Sequence, residues 1–176
     1  MTSRTQHITL SALFMALGIL IPFLFHGIGL GSVFIPMFWP IAVSAFFLPF
    51  SFAIAVGALT PLLSSMFTGM PPPPTLYKMI FELAFLAGCT CLLYRKTRYG
   101  IFWLLLFGLV LSRIVALLGA AAIAPILGLP PEFYAVFSLI EGTPGMIIML
   151  VFLPLILKRI TNEPILGLRK PDVQIT

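Results

Sequence analysis

The chain reads as an all-α integral membrane protein, a six-transmembrane-helix bundle with N and C termini cytoplasmic, and three observations predict it. With 60% hydrophobic and 9% charged residues and a mean hydropathy of +1.15, its 176 residues carry more apolar surface than one soluble core can hide. The apolar runs are continuous, as in Ile101–Leu111, where a membrane barrel needs strands of about 10 residues that alternate polar and apolar. Most Lys and Arg fall between those runs, in three groups that an even number of spans places on one side.

Six segments follow in order: Ile8–Phe25, Ser32–Leu48, Phe52–Phe67, Leu76–Tyr94, Ile101–Leu127 and Pro144–Ile160. Each is near the roughly 20 residues that cross a hydrocarbon core about 30 Å thick. The second and third are short and joined tightly through Pro49–Ser51. Residues 1–160 are expected to form one transmembrane domain and residues 161–176 a short polar cytoplasmic tail. The first segment, preceded by Arg4 and His7, has a longer apolar run than a secretory signal and no clear small-x-small cleavage site, Gly29-Leu30-Gly31 being a weak candidate. It reads as a retained span.

Arg4 precedes the first span, Arg95, Lys96 and Arg98 lie between the fourth and fifth, and Lys158, Arg159, Arg169 and Lys170 follow the sixth. An even number of spans puts all three groups in the cytoplasm. The loops His26–Gly31, Thr68–Thr75 and Gly128–Thr143 then face outward, and they contain no Lys or Arg. The third is long enough to fold over a cavity as a lid.

Charge within a span is costly and marks a functional candidate. Lys78 and Glu82, near the outer end of the fourth span, are four apart on one helix face and close enough to pair. Arg113, near the middle of the fifth, has no partner in its own span. It pairs with Glu82 or Glu141, binds an anionic group such as a carboxylate or phosphate, or does both. His26, Trp39, Tyr77 and Tyr134 sit in or near the outer loops, where an interfacial aromatic belt and ligand contacts are the competing readings. Met70 and the four prolines after it end one span and fix how Tyr77, Lys78 and Glu82 are presented.

Several classes are excluded. The formal charge of +5 sits between apolar runs and forms no basic face for nucleic acid. Cys89 and Cys91, two apart, point to different sides of a helix, against a disulfide or a metal site. No zinc-protease, nucleophile-elbow or phosphate-cradling motif occurs, and of five acidic residues two lie in the tail. The chain is therefore read as no enzyme, with no cofactor and no nucleotide-driven pumping of its own. A lipid-acting enzyme would have to rely on Glu82 or Glu141 as a lone acid/base.

Ala12 and Ala16, followed by Gly18, give the first span a small-residue face for helix packing, a spacing that Ala53 and Gly57 share. That face, the layout of spans and loops, and the stretch from Pro71 through Tyr77-Lys78 and Glu82-Leu83 to Gly88 and Tyr94-Arg95-Lys96 together resemble the substrate-binding (S) component of energy-coupling factor transporters, the prokaryotic vitamin uptake systems. The resemblance covers nearly the whole chain in layout. It implies a cell-membrane protein that captures a vitamin or precursor from outside, with a transmembrane coupling subunit and two cytoplasmic ATPases supplying energy. It makes Ala12 and Ala16 the docking face for the coupling subunit, and Glu82, Arg113 and Glu141 ligand contacts in an outward pocket. The competing class is a non-transporting membrane scaffold or assembly subunit whose buried charges are only structural pairs.

Overall fold

A computed structural model describes residues 4–27, 29, 31–73, 75–127 and 142–162. Among them the chain forms seven helices: α1 Arg4–Gly27, α2 Gly31–Phe34, α3 Phe38–Phe47, α4 Phe50–Thr68, α5 Thr75–Lys96, α6 Ile101–Leu127 and α7 Thr143–Asn162. No strand occurs among the described residues. Among the described residues four helices are long and apolar enough to cross a membrane: α1, α4, α5 and α6 through Leu118.

The expected second span departs from a single helix. It breaks into the four residues of α2 and the ten of α3, the latter about 15 Å long and roughly half a hydrocarbon core. The break lies at Ile35-Pro36. A residue before proline is pushed out of the helical region, and Ile35 takes φ 41, a left-handed value rare for a β-branched side chain. Two contacts hold the corner: the Phe38 amide donates to the Ile35 carbonyl at 3.0 Å, and Trp39 Nε1 donates to the Phe34 carbonyl at 3.3 Å.

The other helix ends follow local chemistry. Gly69, with φ 72, closes α4 in the left-handed conformation, its amide donating to the Ser65 carbonyl at 2.9 Å. The prolines after Met70 forbid continuation. Arg95 and Lys96 end α5 where cations suit the negative end of the helix dipole.

α5 is the hub and packs against α3, α4 and α6. Its buried Leu83 and Leu86 meet Ile41, Val56, Leu105 and Leu109 from those neighbours in one core cluster. Outward faces are equally apolar, with Phe23, Phe81, Phe102, Trp103 and Leu118 exposed. Between lipid and such a core the hydrophobic effect supplies little preference, so close backbone approach decides which faces pack. Gly57 of α4 makes such an approach: a Cβ there would run into the Leu83 carbonyl of α5.

The bundle has two chemically different ends. At one, His7 packs on Phe52 with ring centroids 5.6 Å apart, and Arg95 donates from Nη2 to the Leu48 carbonyl at 3.2 Å. At the other lie the C-termini of α1 and α4 and the start of α5. α7 begins at this second end, against α2, so its 20 residues carry Lys158 and Arg159 back toward the first.

Gly57→Val should lower the thermal unfolding midpoint of the detergent-purified chain markedly, by about 1–3 kcal/mol of overpacking in a seam that cannot open. Gly100→Ala, where an added Cβ meets nothing within 4 Å, should shift it little. Equal midpoints for the two variants would show that the α4–α5 seam is not tightly closed.

Candidate functional site

The second end of the bundle encloses a cavity of about 760 Å³. It exists because helices stop there at different depths. α1 runs on to Gly27, α3 begins only at Phe38 after the Ile35 break, and α4 ends at Gly69. Among the described residues the space between is walled by Ile19, Pro22, Ile35, Met37, Phe38 and Met79, with His26, Ser64, Thr68 and Thr75 as polar side chains. Ser64 Oγ donates to the Met70 carbonyl at 2.8 Å and Thr68 Oγ1 to the Ser64 carbonyl at 2.7 Å. The first of these bonds ties Met70 to the end of α4 and so shapes one wall.

Beside the cavity, α5 and α6 carry a buried ion pair. Arg113 Nη1 lies 3.0 Å from Glu82 Oε1, with only 12% and 1% of their side chains exposed. The guanidinium carbon stands 5.2 Å from the centroid of the Phe38 ring, a cation–π contact. A Cβ on Gly142 would come 2.9 Å from Arg113 Nη2, so the lack of a side chain at the approach to α7 gives the guanidinium its room. Neither Glu82 Oε1 nor Arg113 Nε makes an aligned hydrogen bond among the described residues. Lys78, one turn nearer the cavity end of α5, interacts electrostatically with both Glu82 and Arg113.

The candidate residues thus divide. Glu82 and Arg113 come together, with Lys78 alongside, but none of the three lines the cavity. Glu82 is the close partner of Arg113, one of the two pairings the sequence left open for that arginine. His26 lines the cavity. Trp39 holds the α2–α3 corner through its indole, and Tyr77 is 49% exposed away from the cavity. Glu141 and Tyr134 lie outside the described residues. Ala12 and Ala16 are exposed on α1, while Gly18 turns into the bundle. No metal-binding cluster of His, Cys, Asp or Glu occurs among the described residues.

Sequence reasoning missed Phe38, Ile35, Met79, Ser64 and Thr68. Phe38 carries Arg113 and lines the cavity at once, yet an aromatic in an apolar run looks like any lipid-facing residue. Pro36 was the available signal for a break, since it constrains the residue before it.

No family model, curated protein or solved structure matches the chain.

Glu82→Gln and Arg113→Met should each destabilise the protein by on the order of 3 kcal/mol, because each leaves the opposite charge buried and unpaired. The double variant should lose much less than the sum of the two, a coupling above about 1 kcal/mol in a thermal or denaturant cycle. Additive losses would mean that the two groups do not depend on each other.

Proposed function

We propose that this chain is the high-affinity substrate-capture subunit of an importer of the energy-coupling factor type. In this reading it spans a prokaryotic cell membrane six times with both termini in the cytoplasm. It takes a vitamin-like small molecule into the cavity from outside and hands it on through a transmembrane coupling subunit driven by two partner ATPases.

The observation that carries the reading is the cavity. A space of about 760 Å³ is within the range of small-molecule sites, and it opens at the end of the bundle opposite Arg95. The loops around it lack Lys and Arg, which favours the outer face for that end. Two further features support the assignment. Glu82 and Arg113, paired behind the wall, hold α5 and α6 together beside the site. Ala12 and Ala16 are exposed together on α1, where small side chains admit a partner helix at close range. One observation favours the scaffold alternative: the deep charges neutralise each other and leave the cavity wall without either.

Two outcomes are expected. In a thermal-shift screen of the purified protein against vitamins and their precursors, one compound should stabilise it by roughly 3–4 kcal/mol at several hundred-fold excess over its Kd; a flat response across the panel would favour the scaffold. Replacing Ala12 and Ala16 together by Trp should abolish co-purification with the coupling subunit while leaving that ligand shift in place. Retention of the complex would put the docking face elsewhere.

A further inference from the structure

We infer that the cavity takes an uncharged, predominantly apolar solute carrying one hydrogen-bonding group, and that His26 reads that group. The inference rests on the capture role proposed above and names the chemistry of its ligand.

The wall has no carboxylate, ammonium or guanidinium among the described residues. An anion entering it would shed water without meeting a counter-charge, a cost of several kcal/mol even for a neutral polar group left unpaired and far more for an ion. Arg113, the natural counter-charge, stands outside the wall, 3.0 Å from Glu82 and over the Phe38 ring. Its charge is already compensated. Lys78 is likewise absent from the wall.

Among the described residues four polar side chains line the cavity, and two are committed. The hydroxyl protons of Ser64 and Thr68 go to carbonyls of their own segment. His26 and Thr75 remain. The His26 ring packs over Gly31, where a Cβ would fall 2.9 Å from its Cγ, so the glycine is what lets the imidazole settle at the rim. An imidazole placed there can donate or accept one hydrogen bond. The rest of the surface is aliphatic, aromatic or thioether, and Met37 and Met79 can adapt to an irregular apolar shape. Phe23 and Leu24 line the cavity and are also largely exposed, which joins its wall to the lipid-facing surface of α1. A lipid chain shares the apolar chemistry, so the test must separate it from a solute.

The test uses the full chain in detergent with two probes of one ring system, neutral 1-aminoanthracene and anionic anthracene-9-carboxylate, read by the thermal unfolding midpoint. Ser64→Phe and Thr68→Trp, the second at an exposed position, fill the cavity and report partitioning into the micelle. The neutral probe should raise the wild-type midpoint by several degrees, have no such effect on either filled variant and give a smaller shift in His26→Ala. The carboxylate should give none. A carboxylate shift equal to or larger than the neutral one would overturn the uncharged ligand and leave the capture role standing. A full shift in His26→Ala would remove His26 as the reader. No shift with either probe, together with a flat vitamin panel, would sink the capture role itself. Phospholipid found by mass spectrometry on the wild type, absent from the filled variants and not displaced by the neutral probe, would assign the cavity to lipid and overturn the solute.

Discussion

A helix that stops within the depth of a bilayer must pass its unpaired backbone groups to protein or to a cavity, because lipid offers them nothing. The second apolar segment stops in this way at Ile35, before Pro36. Phe38 and Trp39 take up two of the freed carbonyls, and α3 restarts deep enough to leave space beneath the ends of α1, α4 and α5. An unbroken helix through Ser32–Leu48 would fill that space with its own side chains. A left-handed φ at a β-branched residue costs of order 1–3 kcal/mol, and here it is held where the cavity forms. The cavity depends on that one interruption more than on any single residue of its wall.

The ion pair of Glu82 and Arg113 has a different part. It joins α5, the hub of the bundle, to α6, and through Phe38 it touches the helix that floors the cavity. A buried pair is weak evidence of net stability, since desolvation offsets attraction. Its effect is to fix geometry: α6 cannot rotate or slide against α5 without separating two charges in a medium of low dielectric. The Phe38 ring that bears the guanidinium is thereby held in place as cavity wall. In the proposed capture role, recognition and support fall to separate groups, with charge behind the wall and apolar surface and His26 on it.

Much of this fold was legible beforehand because lipid leaves a coarse signature. Long uninterrupted apolar runs such as Ile101–Leu111 admit only helices, and α4, α5 and α6 begin and end within a few residues of the expected Phe52–Phe67, Leu76–Tyr94 and Ile101–Leu127. The break in the second segment was not foreseen, because hydropathy averages over Pro36 while backbone geometry does not. At the site, charged residues were easy to single out and apolar ones were not. Glu82 and Arg113 stand out in any apolar span, yet their pairing needed the relative rotation of α5 and α6, which no spacing encodes. Ile35, Phe38 and Met79 have the same residue types as the lipid-facing Phe81 and Leu118. Where the solvent is as apolar as the core, only the fold distinguishes a cavity wall from an outer surface.

In the proposed capture role, the space at the end of the bundle away from Arg95 holds a small solute. Native mass spectrometry of the chain extracted gently from cells grown in rich medium would show it, with Thr68→Trp as the blocked comparison. A small-molecule adduct is expected on the wild type and not on the blocked chain. The same adduct on both, or a bare mass for both, would contradict it.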